Sequence, residues 1–379
     1  MDYQPLHMKL MNGWQRGFPL VPRPFASIAD ELAMSEAGVI RALEAMLRDG
    51  ILSRIGAVVR PNTAGASTLA AMKIPPADLE RVAAIVNAEP GVNHNYERDH
   101  EYNLWFVATA GDRREIGELL GRVSRASGYE ILDLSLTRAH HIDLGFTLGE
   151  GRCLHQSVNE KPRQPHGLTV LAKDSVRIND SVRANDPVSQ YSSAGKNVSV
   201  KLSDRRLLAA LENGLPRVSR PFQELSAGLA VDEPEVILSL ERLVFEGIIS
   251  RFGLVVRHRK MGFTANAMAV WNVGENHVDE VGEQFAARSF VTLCYQRRRS
   301  PPHWPFNLYC MIHGREKNTV LSQIAQLNEL VGSHSRAHTV LFSKRCFKQR
   351  GARFTTGHKT APNPNRPGEA TAQKEVHHA

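Results

Sequence analysis

Two short stretches of this chain concentrate the side chains that can hold anions and move protons. Residues 92–106 read VNHNYERDHEYNLWF, and residues 291–314 read VTLCYQRRRSPPHWPFNLYCMIHG. Each places Tyr-x-Arg before Asn-Leu-aromatic: Tyr96 and Arg98 before Asn103 and Trp105, Tyr295 and Arg297 before Asn307 and Tyr309. Histidines flank both, His94 and His100 in the first, His303 and His313 in the second. On a strand, alternate residues share a face. His94, Tyr96 and Arg98 therefore point one way, as do Asn307, Tyr309, Met311 and His313. Arg298 and Arg299 lead into a loop that ends with His303 and Trp304. Guanidinium forks bind carboxylates bidentately and stack on rings. Imidazole delivers protons near neutral pH. Taken singly, a His or Tyr on a sheet is more often structural and an Arg more often a solvated surface group. The recurrence of the whole pattern carries the functional reading: a flat polyanion, and a proton delivered to it.

The recurrence is part of a larger duplication. Residues 23–60 align without gaps on 220–257, with 18 identities in 38 positions. The second copy carries five extra residues between its Tyr-x-Arg and Asn-Leu anchors, within RRSPPHWPF. Between the copies, residues 151–202 are rich in Ser, Asn, Asp and Lys and are expected to form a flexible linker.

Each copy reads in two parts. Apolar residues at three- and four-residue steps predict helices over 27–34 and 36–49. Ser35 and Asp232 are expected N-caps, and Gly50 and Gly247 left-handed helix ends. An alternating strand follows, completing a winged helix-turn-helix over 1–60 and again over 203–257. Over 61–150 and 258–345 the pattern runs strand, helix, strand, strand, helix, strand, a ferredoxin-like βαββαβ unit. The expected fold class is α+β, two tandem copies of winged helix plus ferredoxin-like domain, arranged as an internal pseudo-dimer. Further pairing of chains is left open.

Charge narrows the partners. The chain is +8 overall. Residues 343–379 contribute eight Lys/Arg against two Glu, +6, which leaves +2 for everything else. Residues 346–379 are expected to be a basic, disordered tail. The second helix of each winged unit is acidic: 232–246 carry Asp232, Glu233, Glu235, Glu241 and Glu246 against Arg242 alone. Phosphate contact dominates nucleic-acid affinity, so the helix-turn-helix reads as a packing module and nucleic acid is not the expected partner. No apolar run is long enough for a membrane span. Cys153, Cys294, Cys310 and Cys346 show no CxxC spacing and are expected to be reduced thiols in a cytoplasmic protein. An Asn-Val-Ser sequon at Asn197 is expected to be chance.

A winged helix followed by a ferredoxin-like domain resembles the Lrp/AsnC group of regulators. HNYERDHEYNLWF and CYQRRRSPPHWPFNLYCMIHG resemble the two subunits of the siroheme decarboxylases within that group, in the fused order of heme d1 biosynthesis. The resemblance covers roughly residues 10–150 and 203–350. It implies loss of the C12 and C18 acetate carboxyls of siroheme as carbon dioxide, with siroheme as substrate, no added cofactor and no metal beyond the iron that siroheme brings. By that resemblance His100 and His313 are the preferred proton donors, with His303 and His94 as alternates. His303 also suits clamping a propionate or ligating the iron. Arg98, Arg297, Arg298 and Arg299 would bind carboxylates. Tyr96, Trp105, Tyr295, Trp304 and Tyr309 would wall the pocket, with Asn307 beside them. Thr109 aligns with His313 and Leu293 with His94, so the two copies are expected to differ in role. The competing readings are a tetrapyrrole-sensing regulator and a carrier without turnover.

Overall fold

The computed structural model describes residues 5–142, 145 and 201–351. Cys153, Asn197, most of the expected linker and residues 352–379 of the expected tail lie outside that range. The first copy runs α1 (Pro5–Trp14), α2 (Pro24–Glu31), α3 (Glu36–Arg48) and β1 (Leu52–Val59). It continues with β2 (Ala66–Met72), α4 (Leu79–Ala88), β3 (Val92–Arg98), β4 (Leu104–Ala110), α5 (Arg113–Ser127) and β5 (Leu132–Ile142). The second copy repeats the order: α6 (Leu202–Ala210), α7 (Pro221–Leu229), α8 (Glu233–Phe245) and β6 (Ile249–Val256). Then come β7 (Ala265–Val273), α9 (Val278–Ala286), β8 (Val291–Arg297), β9 (Leu308–Gly314), α10 (Lys317–Val331) and β10 (Ser335–Gln349).

Local chemistry explains the helix boundaries. Ser35 Oγ accepts from Gly38 N at 3.2 Å, and Asp232 Oδ1 from Glu235 N at 2.8 Å, each satisfying an orphan donor of the first turn. Pro24 and Pro221 stand at the starts of α2 and α7, where no N–H is needed. Gly50 and Gly247 take φ of 69° and 70° just past the caps of α3 and α8, a conformation that costs glycine nothing. The opening helices α1 and α6 were not expected from periodicity. Leu10, Met11 and Trp14 of α1 and Leu207 and Leu208 of α6 are buried in one core with Phe25, Leu43, Phe222 and Leu240. The two winged units are therefore a single helical body. Its ion pairs are internal: Arg242 bridges Asp204 and Glu246, and Arg220 meets the buried Glu233. Several carboxylates of the acidic second helix are thus spent on packing.

The two wings do not stand alone. β1 pairs with β6 antiparallel, Gly56 opposite Gly253. The two ferredoxin-like sheets are also joined. Within each copy the strand order is β5-β2-β4-β3 and β10-β7-β9-β8, and the eight strands close into a barrel because β5 pairs with β8 and β10 with β3. Closure removes four sheet edges that would otherwise expose unpaired N–H and C=O groups. Helices α4 and α5 cover one copy outside and α9 and α10 the other, each over its own apolar cluster. Inside the barrel lies a fourth cluster, with Trp105, Leu134, Met268, Trp304, Tyr309 and Leu341.

The expected tail boundary at 346 is corrected. β10 continues to Gln349, held by pairing with β3, by Phe347 packed under α4 and by Arg350 N on Asn93 O at 2.9 Å. The basic residues there are strand residues whose alternate faces are occupied. Among the described residues Cys294, Cys310 and Cys346 are free thiols, and no helix is long and apolar enough to cross a membrane.

Gly253 tests the coupling of wing and first helix. A Cβ there would stand inside contact distance of the Trp14 and Gln15 carbonyl oxygens. Gly253→Ala is expected to destabilise by about 2 kcal/mol and to lower the melting temperature by about 2–3 °C. Thermal denaturation followed by circular dichroism checks it; an unchanged midpoint would show that α1 is not held against the wing.

Candidate active site

The barrel is closed at one end and open at the other, and the two ends have different chemistry. The closed end is built by the five-residue insertion. Ser300 and Trp304 bridge the loop, which turns Trp304 inward. Its ring packs edge-on against Trp105 at 5.1 Å and Phe306 at 4.9 Å, and its Nε1 donates to Tyr309 Oη at 2.7 Å. His100, in the β3–β4 connection, caps this plug. Its ring lies 5.5 Å from Trp304, and its Nδ1 accepts from Tyr102 N at 3.0 Å. Arg299 Nε donates to Pro305 O at 2.8 Å, and the same guanidinium reaches Asn272 and pairs with Glu275. Asn307 donates to Val273 O at 3.0 Å and accepts from Val273 N at 2.9 Å. Asn103 makes the equivalent pair of bonds to Ile74, at 2.8 and 3.0 Å. The shared Asn therefore ties hairpin to neighbouring strand. Arg298 and His303 are exposed on the outside of the loop.

At the open end, the two-stranded wing sheet lies over the barrel mouth and bounds one side of a cavity of about 360 Å³. Eight expected residues line it: His94, Tyr96, Arg98, Trp105, Tyr295, Arg297, Tyr309 and His313. The remaining six, His100, Arg298, Arg299, His303, Trp304 and Asn307, do not. The reason is geometric. His94, near the start of β3, and Thr109, near the end of β4, lie at the cavity, so the hairpin tips fall at the opposite end of the barrel. Alternation located the right faces; strand polarity relative to the wings decided which residues on them meet.

The cavity is cationic. Arg54 from β1, Arg251 from β6, and Arg60, Arg259 and Arg350 from flanking segments join Arg98 and Arg297, while the lining contains no Asp or Glu. Arg98 and Arg297 occupy matching places in the two halves. Arg98 Nη1 donates to Leu341 O at 3.1 Å and Arg297 Nη1 to Leu134 O at 2.9 Å, each across the strand exchange. Arg297 also stacks over Tyr295 and Tyr309, at 5.2 and 5.8 Å. Burial pushes Arg98 down to about 10 and Arg251 down to about 9, yet both stay charged at neutral pH. Arg251 is fixed through Gln15 O at 2.7 Å and Leu254 O at 3.2 Å.

Three histidines face this charge. Burial, then the nearby Arg54, pushes His94 down to about 4. Burial, then Arg98 and Arg259, does the same to His313. His94 stacks near Tyr96, ring centres 6.3 Å apart, and His258 lies 5.7 Å from His313. The sequence reading missed the wing arginines, His258, Arg259 and Arg350. A signal existed for the first of these: Ser-Arg recurs at 53–54 and 250–251 in otherwise apolar wing strands. Any single Arg there looks like a surface group, and only the β1–β6 pairing turns the wings over the barrel.

This is a duplicated ligand-binding barrel roofed by winged-helix units, and comparison with known proteins agrees. A family model described as the AsnC-like ligand binding domain matches residues 64–140 and 260–348. One described as the siroheme decarboxylase NirDL-like HTH domain matches 8–52 and 204–249. The siroheme decarboxylase NirDL subunit of Paracoccus denitrificans (strain Pd 1222) is 42% identical over 353 residues, 93% of this chain and 98% of that one. The NirD subunit of Stutzerimonas stutzeri is 48% identical over 150 residues, 40% of this chain and 99% of its own. A crystal structure of the siroheme decarboxylase NirDL superposes with TM-score 0.60 at 26% identity, covering 92% of this chain and 94% of that one. Another, in co-complex with an iron-uroporphyrin III analogue, gives 0.58 at 26%, covering 91% and 93%. The chain belongs to the siroheme decarboxylase NirDL family.

The depressed histidines have a consequence for stability. Above pH about 6.5 both are neutral folded and unfolded, and no penalty arises. As pH falls from there toward 4, the unfolded chain takes up the protons and the folded chain does not, so stability is lost across that window. A His94→Gln, His313→Gln double variant is expected to lose less stability than the parent between pH 7 and pH 4.5 in urea titrations. Parallel losses would place the two rings in ordinary solvent.

Proposed function

We propose that this chain is a siroheme decarboxylase that removes the C12 and C18 acetate carboxyls by a non-oxidative carboxy-lyase reaction. The observation that carries the proposal is the cavity: buried arginines on both halves, aromatic walls and no carboxylate among the lining residues. Such a site binds a planar polyanion and repels a cation. The NirDL-family membership above says which planar polyanion. A protein of the same fold crystallised with an iron-uroporphyrin III analogue supports a tetrapyrrole as the occupant.

Siroheme carries eight carboxylates, and several cations must hold it in register before any one of them can react. Arg98 and Arg297 serve as paired anchors at the barrel mouth, with Arg54, Arg60, Arg251 and Arg259 contributed from the roof. Tyr96, Trp105, Tyr295 and Tyr309 flank the macrocycle. At the reacting acetate, the bond between methylene and carboxyl carbon breaks, carbon dioxide leaves, and the electron pair remains on the methylene. A proton then forms the methyl group. No electron is gained or lost overall, so no redox partner or cofactor is called for. His313 and His94, both in the cavity, are the proposed donors of that proton. His100 is set apart from this role by its place behind the Trp304 plug.

Substrate binding itself favours protonation of the two histidines, the protons being taken up from solvent. Burial, and after it the arginine charge, disfavours the imidazolium at both histidines. A bound polycarboxylate reverses that field and raises both histidines toward the charged form. The regulator reading fits less well, because the wings pair with each other and the second helices are acidic.

Purified protein given siroheme without oxygen is expected to yield products lighter by one and then two carbon dioxide units, read by mass spectrometry. Unchanged siroheme bound by folded protein would leave a carrier. His313→Ala and His94→Ala are expected to slow turnover by about 100-fold or more. Binding of siroheme at pH 7 is expected to take up protons, visible by calorimetry in buffers of different ionisation enthalpy. Absence of uptake would remove the substrate-driven protonation of the two histidines.

A further inference from the structure

The cavity histidines differ in what holds them, and the hydroxyl beside His313 has only one proton to give. Thr292 on β8 is buried. Its Oγ1 donates to Met311 O at 2.9 Å, across the β8–β9 pair. The same Oγ1 lies 2.8 Å from His313 Nδ1. The hydroxyl proton can serve only one of these two neighbours; when it serves the carbonyl, the hydroxyl accepts from the ring and Nδ1 carries the hydrogen. We infer that Thr292 is a positioning residue, which fixes His313 in its Nδ1–H tautomer and leaves Nε2 as the nitrogen that gains and gives the mobile proton.

The consequence is chemical economy. After Nε2 gives up its proton, the neutral ring is already in the tautomer that can be recharged at the same atom, with no rotation or proton shuffle between one carboxyl and the next. The other copy has the same cross-strand couple without the imidazole: Asn93 Nδ2 donates to Thr109 Oγ1 at 3.1 Å. Thr292 and Asn93 occupy equivalent places, as do His313 and Thr109. Only one half ends the couple in a group that can titrate, which gives the asymmetry between the copies a defined atom.

The inference rests on the reading of His313 as a proton donor, and the test separates the two. Protein with isotope-labelled histidine shows each tautomer through its ring-nitrogen chemical shifts, and the His313 signals are those lost in His313→Gln. The parent at pH 7 is expected to show Nδ1–H. Thr292→Ser keeps that form, while the isosteric Thr292→Val populates Nε2–H. In turnover, Thr292→Val is expected to lower kcat roughly tenfold, the rate equivalent of one net hydrogen bond. KM should stay within about twofold and Thr292→Ser within about threefold of the parent. An Nε2–H tautomer in the parent, or an unchanged tautomer in Thr292→Val, overturns the inference. If the tautomer shifts as expected but His313→Gln still turns siroheme over normally, the positioning by Thr292 stands and only the donor role of His313 falls.

Discussion

The reciprocal strand exchange is the constraint on which the rest of this molecule depends. Each copy, taken alone, is a four-stranded sheet with two bare edges and helices on one face. Pairing β5 with β8 and β10 with β3 removes all four edges and turns two open sheets into one closed interior. The same exchange supplies the carbonyls that hold the central guanidiniums. Leu341 of the second copy receives Arg98 of the first, and Leu134 of the first receives Arg297 of the second. Neither half could place its own arginine without the other, so folding of the barrel and formation of the site are one event.

That geometry sets up an electrostatic imbalance. A buried cation is normally paired, because desolvation is costly. Here the arginines are satisfied in part by main-chain carbonyls and tyrosine faces, which orient them without cancelling their charge. Burial first, and this charge second, drive both His94 and His313 well below the ordinary imidazole range. A cavity in this state is poised for an anion of high charge, and the protonation of its acids follows occupancy. Binding and acid activation are therefore coupled by Coulomb's law rather than by a moving part.

Much of this was legible in the sequence, and the omissions have physical causes. The duplication, the helix caps at Ser35 and Asp232 and the strand faces of Tyr96, Arg98, Tyr295, Arg297, Tyr309 and His313 all follow from local rules. What local rules do not contain is which end of a strand meets a distant element. His100 and His303 share hairpins with cavity-lining residues and yet sit at the plugged end, with Trp304 between them and the cavity. Arg54 and Arg251 reach the cavity only because β1 pairs with β6, about two hundred residues away. The Asn-Leu-aromatic motif, read as part of the pocket, proved mixed: its Asn ties hairpin to sheet, while its aromatic residue lines the cavity.

The departures between the copies then acquire a common logic. Two identical halves around one axis would build a twofold-symmetric cavity, well matched to a symmetric ligand. Siroheme, the proposed substrate, is not symmetric in its side chains, and the two acetates proposed to react have different neighbours. Placing both halves in one chain lets each position diverge alone. The insertion plugs the barrel with Trp304 from the second copy only, His94 has Leu293 as its counterpart, and His313 has Thr109. Each change acts at the shared interior and leaves the exchanged strands, which both halves need, intact. Symmetry is retained in the strand pairs that close the barrel and given up in the side chains and loop that fill its interior.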